Sequence, residues 1–236
     1  MWSMDKFKDT LFWKHYKEFD SIIGNSSMRS TVDAVIYWKL FQEYNFSNIL
    51  EIGVYQGLTT GLMLESSANV KSYTGIDIQL RLDLFKTIWK DYLDRTTFYQ
   101  QSSHNFNFNG KYDFILIDGD HSYNGALTDL INTKDLLSPT GVLAIDDYNM
   151  PEVAEAIQQF KTQTSMVPFL QAEQTEFWHY PSVNRANFLD NLLVDNINNF
   201  IFLYNINDGQ ILKAKTLNVF TNELDFFDQV INFYDI

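Results

Sequence analysis

The residues whose types and spacing could do chemistry lie in two short segments, Asp118-Gly-Asp-His121 and Asp146-Asp147. Each follows an apolar run, Tyr112–Ile117 and Val142–Ile145, that reads as a buried strand. If the two strands are neighbours, their ends lie about 5 Å apart, which brings Asp118, Asp146 and Asp147 towards one point. At about 4 Å and an effective dielectric near 20, each like-charged pair costs roughly 4 kcal/mol. Such a cluster binds protons, disperses into water or holds a cation. A hard divalent ion with oxygen ligands, most naturally Mg2+, neutralises it. The bland alternative is three exposed loop acids in an acidic protein. Asp120 and His121 flank the cluster, and either could act as a general base.

A second constellation is Glu51-Ile-Gly-Val-Tyr-Gln-Gly57, which follows the apolar run Asn48–Leu50 and precedes the helical pattern from Leu58 to Glu65. Glycines after a strand let backbone approach a ligand, and the helix N-terminus offers unpaired N–H groups. An ordinary tight turn has the same composition. Asp77 closes the next strand, where nucleotide-binding α/β folds place an acid for ribose hydroxyls. A solvated helix cap is its alternative role. His104, beside the end of the third strand, is a candidate for the same mouth, whereas packing accounts for His15 and His179. Ser122 is most simply the cap of the following helix. No serine has a triad context, and there is no Walker lysine or metal-binding His pair.

The elements that must position these residues alternate. Strands are expected at Asn48–Gly53, Ser72–Ile76, Thr97–Tyr99, Tyr112–Ile117 and Val142–Ile145. Between them lie amphipathic helices, one carrying Phe85, Ile88, Trp89 and Tyr92, another carrying Leu127, Leu130, Ile131 and Leu137 and stopping at Ser138–Gly141. Apolar strands separated by such helices call for an α/β, doubly wound, mostly parallel sheet with helices on both faces. Ligands in such sheets sit beyond the carboxyl ends of the strands, where every acid named above falls. Residues 1–45 are expected as an N-terminal helical lid or extension, with helices over 2–20 and from Ser30 to Tyr44. Residues 46–184 form the core, with a helix at Pro151–Phe160 and a strand at Thr175–Tyr180. Residues 185–236 are a strand-rich appendage with a helical patch at Phe188–Val194, runs at Phe200–Tyr204 and Ile211–Phe220, and a hairpin turn at Asn207-Asp-Gly209. It is suited to edge pairing or a dimer contact.

The chain has 236 residues, 45% of them hydrophobic, which is enough for one substantial core. A net charge of −13 without a Lys/Arg cluster argues against nucleic acid and anionic membranes as partners. With no cysteine, disulfides, thiolate metal sites and a Cys nucleophile are excluded. No apolar run approaches spanning length and the charged N-terminus has no signal-peptide core, so a cytoplasmic location is the default expectation.

Together these residues resemble class I S-adenosylmethionine-dependent methyltransferases, and more narrowly the metal-dependent macrocin-type O-methyltransferases that tailor sugars. Ile49-Leu-Glu-Ile-Gly-Val-Tyr-Gln-Gly57-Leu-Thr-Thr60 is similar to that family's first motif. Ile117-Asp-Gly-Asp-His-Ser-Tyr-Asn-Gly125 and Gly141–Tyr148 are similar to its metal-site segments. The resemblance spans about residues 28–180 and implies a Rossmann-like methyltransferase fold. It implies that Glu51, Gly53, Tyr55, Gly57 and Thr59 shape a cofactor pocket, that Asp77 holds the ribose, and that Asp118, Asp146 and Asp147 ligate Mg2+. Asp120 or His121 would take the acceptor's proton; members of the family differ in which, and Asp120 is the expectation here. Where the family often has Gly-Asp after strand three, this chain has Gln101-Ser102, and these would have to serve the adenine.

The implied reaction moves a methyl group from S-adenosylmethionine to a hydroxyl of a small molecule, such as a sugar or a polyol- or catechol-like acceptor. Two alternatives remain. A nicotinamide-dependent oxidoreductase also places an acid after strand two, although the full Gly-x-Gly-x-x-Gly fingerprint is absent. A non-catalytic partner subunit would keep the fold and use the aromatic tail as an interface. The acceptor and the oligomeric state are not legible.

Overall fold

The structure, a computed structural model, describes residues 4–23, 31–172, 174–184, 201–206 and 211–216. The strands of the expected alternation are β1 (Asn48–Ile52), β2 (Ser72–Asp77), β3 (Thr96–Gln100), β4 (Tyr112–Ile117) and β5 (Leu137–Ile145). They pair in parallel in the order β3-β2-β1-β4-β5. Strands β6 (Val167–Gln171) and β7 (Glu176–His179) complete the core. β7 pairs antiparallel with β5, and β6 antiparallel with β7. Beyond them, β9 (Ile211–Thr216) joins β6 in parallel, and β8 (Ile201–Ile206) pairs antiparallel with β9 at the edge. Among the described residues this is one nine-stranded sheet.

The strands bury both faces because successive side chains point to opposite sides. Ile49, Phe114, Leu116, Val142 and Ala144 face one apolar layer, whereas Leu50, Ile52, Ile115, Ile117, Leu143 and Ile145 face the other. The first layer is covered by α1 (Met4–Lys8), α2 (Leu11–Ile23), α3 (Thr31–Glu43), α4 (Leu58–Ser66) and α5 (Asp83–Ile88). The second is covered by α6 (Tyr123–Thr133) and α7 (Pro151–Lys161). Phe114 is fully buried, with the rings of Tyr37, Phe41 and Phe46 at 5.8, 4.9 and 5.3 Å. Truncating such a residue to alanine typically costs about 3–5 kcal/mol. The N-terminal helices therefore belong to the core.

Several boundaries differ from expectation for identifiable reasons. The N-terminal segment makes three helices, because the chain turns at Asp9-Thr10 before α2. Glu65 on α4 accepts the N–H groups of Leu11 at 2.8 Å and Phe12 at 2.7 Å, capping α2 from a distance in sequence. The helix expected to run past Trp89 ends at Ile88 and tightens to a 3-10 segment, Lys90–Arg95. Trp89 is fully buried and its indole lies where a Cβ on Gly61 would go, so the close approach requires glycine. Leu137 is not helical; it begins β5 by pairing with Tyr112. Strand β5 tolerates Pro139 because the β4–β5 register shifts between Tyr112 and Phe114, as at a bulge. Strand β6 had no counterpart in the sequence reading. The tail runs at Phe200–Tyr204 and Ile211–Phe220 correspond to β8 and β9 as far as those are described. Phe188–Val194 and Asn207–Gly209 lie outside the described residues.

Candidate active site

The carboxyl ends of β1, β4 and β5 meet at one rim. Asp118 N–H donates to the Ile52 carbonyl at 2.8 Å, and Asp146 N–H donates to the Ile117 carbonyl at 2.9 Å. Gly53, at φ +92°, allows the first of these approaches. A Cβ there would coincide with the Asp118 carbonyl, so this glycine serves the strand ends as well as any ligand.

At this rim Asp118, His121 and Asp147 place one ligand atom each within 4.8 Å of one another. His121 Nε2 lies 3.3 Å from Asp118 Oδ1 and 3.3 Å from Asp147 Oδ2. Asp118 is almost buried, with a side chain 7% exposed, and His121 is 39% exposed. Asp147 adopts φ +50°, an uncommon conformation for a non-glycine residue. Asp146 stands beside this group with Oδ1 accepting from Thr175 Oγ1 at 2.7 Å. Burial, followed by the neighbouring carboxylates, pushes the Asp118 carboxyl well above its ordinary range. Burial and the charge of Asp33 raise Asp146 to about 7. These are the energetics expected where buried carboxyls crowd together.

Asp120 differs. It is exposed, and Oδ1 accepts the Ser122 N–H at 2.9 Å, the main cause of a lowered pKa. Its carboxyl also packs where a Cβ on Gly125 would go. Ser122 caps α6, its Oγ accepting from Gly125 N–H at 3.1 Å. His104 lies 3.7 Å from the buried Asp129, which also accepts from Ser103 Oγ at 2.6 Å; it is outside the Asp118–His121–Asp147 group. His15 pairs with Glu18 at 2.7 Å, and His179 is buried against Phe169.

On the β1–β2 side, the turn from Gly53 to Gly57 is fixed from outside. Tyr55 N–H donates to Asp77 Oδ2 at 2.7 Å, and Gln79 N–H donates to Asp77 Oδ1 at 2.7 Å. Arg81 N–H donates to the Tyr55 carbonyl at 2.9 Å, and its guanidinium lies 5.6 Å from the Tyr55 ring centre. Gly57, at φ +78°, starts α4 with no side-chain cap, leaving the first-turn N–H groups without a side-chain acceptor. Thr59 sits in that first turn and is buried. Glu51 points into the other side of β1. It is buried and accepts hydrogen bonds from Thr60 Oγ1 at 2.8 Å and from the Tyr73 hydroxyl; burial raises it to about 8. Gln101 is exposed past the end of β3, and Ser102 Oγ accepts from His104 N–H at 3.3 Å.

A small, partly enclosed recess of about 10 Å³ reaches inward from the rim, lined by Thr59, Asp118, Asp146, Thr175 and two residues of α3, Asp33 and Tyr37, among others. Sequence reading missed Asp33, Tyr37 and Thr175. The available signal was an acid, Asp33, set in the wholly buried stretch Asp33–Phe41 of α3.

Residues 50–148 match the family model of a methyltransferase domain. No curated protein sequence matches the chain. Among solved structures, the S-adenosylhomocysteine-bound methyltransferase PaMTH1 of Podospora anserina has a similar fold. Its TM-score is 0.59 at 15% identity, over 74% of this chain and 92% of that one. The O-methyltransferase of Bacillus cereus, also solved with S-adenosylhomocysteine, gives 0.51 at 16% identity, over 72% and 89%. The core therefore has the Rossmann-like fold of these methyltransferase structures, and its segment 50–148 is similar to a methyltransferase domain.

Proposed function

We propose that the chain is an S-adenosylmethionine-dependent O-methyltransferase of the macrocin-like, metal-dependent kind, acting on a hydroxyl of a small sugar or of a polyol- or catechol-like acceptor. The observation that carries this reading is the convergence of Asp118, His121 and Asp147 within 4.8 Å at the carboxyl rim, with Asp146 beside them. The methyltransferase-domain match over residues 50–148 and the fold shared with methyltransferases solved with S-adenosylhomocysteine support the donor.

The residues present fit both groups. Gly53, Tyr55, Gly57 and Thr59 form a turn and uncapped helix start suited to the donor's aminocarboxylate end, with Asp77 beside it for the ribose. Asp77 already accepts two N–H bonds, and each carboxylate oxygen keeps a lone pair for a hydroxyl. Gln101 and Ser102 lie past the end of β3 on the adenine side. Asp118, Asp146 and Asp147 supply the hard oxygen ligands that Mg2+ prefers, and their mutual repulsion favours a cation there. When bound, the donor supplies an electrophilic methyl group and the ion supplies Lewis acidity that lowers the acceptor's pKa.

The chain's own residues then orient the acceptor and remove its proton. His121 is the better placed base. It is half-exposed at the rim and touches both Asp118 and Asp147. Asp120 carries a lowered pKa and is engaged by Ser122. Alignment at the rim, rather than a covalent intermediate, would provide most of the acceleration.

The deciding experiment pairs calorimetry with turnover. Wild type should bind S-adenosylhomocysteine and not NAD, and should methylate a member of a hydroxyl-compound panel with Mg2+ but not with EDTA. Binding of NAD alone would overturn the reading, and full activity in EDTA would remove the metal from it.

A further inference from the structure

Thr175 is held from two directions by one helix that precedes the Rossmann core. Asp33, on α3 and 2% exposed, accepts the N–H of Thr175 at 3.1 Å and that of Gln174 at 3.3 Å. Tyr37, one turn further along α3, hydrogen-bonds with the Thr175 side chain. Thr175 is itself fully buried, and its hydroxyl donates to Asp146 Oδ1 at 2.7 Å. The Gln174 carbonyl accepts the N–H of Tyr148 at 3.1 Å, so the same segment also grips the turn that carries Asp147.

We infer that Asp33 and Tyr37 are positioning residues of the candidate active site, fixing the Asp146 carboxylate through Thr175. The inference rests on the reading of Asp146 as a cation ligand. Packing alone does not account for the chemistry of the contact. Asp33 accepts those N–H bonds as a charged group, which makes them stronger than an asparagine's would be, and it adds a third carboxylate to the recess that holds Asp118 and Asp146. A hydroxyl that bonds one carboxylate oxygen of a ligand residue also selects which oxygen faces the ion, as partners behind a metal ligand commonly do. The α3 helix thus works as part of the site.

The test measures Mn2+ affinity by calorimetry on protein saturated with S-adenosylhomocysteine, for wild type, Thr175→Val, Thr175→Ser, Tyr37→Phe, Asp33→Asn and the Asp33→Asn/Thr175→Val double variant. Thr175→Val keeps the shape of the side chain and removes only its hydroxyl. It should weaken Mn2+ binding about 10-fold, as losses of this kind do, and leave S-adenosylhomocysteine affinity within about twofold. Thr175→Ser should restore the metal affinity. The double variant should lose no more than its weaker single parent, since both act through one contact. If Asp33→Asn fails to fold, the Tyr37→Phe and Thr175→Val pair carries the same cycle. Wild-type Mn2+ affinity in Thr175→Val, or additive losses, would overturn the inference while leaving the proposed function standing. Wild type that binds S-adenosylhomocysteine but no Mn2+ would overturn it too. Wild type that binds neither would take the proposed function down with it.

Discussion

Asp118 and Asp147 share one imidazole nitrogen, each holding a carboxylate oxygen 3.3 Å from His121 Nε2. They come from the ends of different strands, and the chain between them contains α6 and all of β5. The contact therefore depends on the β4–β5 register, Ile117 opposite Ile145, which sets the two turns side by side.

The shared nitrogen separates the two candidate bases. His121→Ala should lower methyl transfer by about 10²- to 10⁴-fold, the usual contribution of a positioned base. Asp120→Asn should lower it less than about 10-fold and act mainly on stability, by roughly 1 kcal/mol, since it weakens a turn that starts a helix. Initial rates with saturating donor, together with urea midpoints for both variants, check this. A collapse of rate in Asp120→Asn with His121→Ala near wild type would reverse the assignment.

Asp146 tests the metal separately from the donor. Asp146→Ala should abolish Mg2+-dependent turnover while S-adenosylhomocysteine still binds within about threefold, because removing one of a few hard ligands empties such a site. Calorimetry with S-adenosylhomocysteine and a Mg2+ titration of the rate read the two effects. Unchanged turnover in the variant would exclude a metal role for this residue.

Gly53 links the fold to the site. Its positive φ and the Asp118 carbonyl lying where a Cβ would go leave no room for a side chain. Gly53→Ala should therefore cost more than about 2 kcal/mol, from strain and from pushing β4 away from β1. Urea denaturation gives that number. Mn2+ affinity in the folded fraction should also fall, since Asp118 is the residue displaced. A variant as stable as wild type would mean that the strand ends are looser than the structure has them.

The sequence carried the parts of this arrangement that local pattern encodes. Strands β1, β4 and the Val142–Ile145 end of β5 are short apolar runs with an acid at or beside their ends, β2 closes on Asp77, and their order brought the acids to one rim. The tail runs likewise matched β8 and β9 as far as those are described, because two apolar runs separated by Asn207-Asp-Gly209 read as a hairpin. Local pattern failed where a distant partner decides. Leu137 reads as the last apolar residue of a helix, yet pairing with Tyr112 makes it a strand. Pro168 hides β6, since proline argues against a strand unless the register shifts beside it, as it does here. Thr175 and Asp33 belong to the site through a bond between residues 142 positions apart. Glu51 shows the opposite limit: its place in the glycine motif was clear, but its burial against Thr60 and Tyr73 depended on which face of β1 it took.

That burial gives Glu51 a pH signature. Its folded pKa, about 8, stands above an ordinary value of 4.5. Between those values the folded chain keeps a proton that the unfolded chain releases, so stability from this group falls as pH rises. The contribution is whole below about 4.5 and lost once pH passes about 8. Glu51→Gln mimics the protonated form and cannot ionise, so it should lack that decline. The urea midpoint of Glu51→Gln, close to wild type below about pH 4.5, should exceed it increasingly as pH rises towards about 8 and by a constant margin above that. Asp118 does not cancel in full, because the charge of Glu51 is one cause of its own raised pKa, so the difference also carries a smaller contribution from that pair. Parallel midpoint curves would show that Glu51 is ionised in the folded chain, and that the Thr60 and Tyr73 hydroxyls suffice to hold a buried carboxylate.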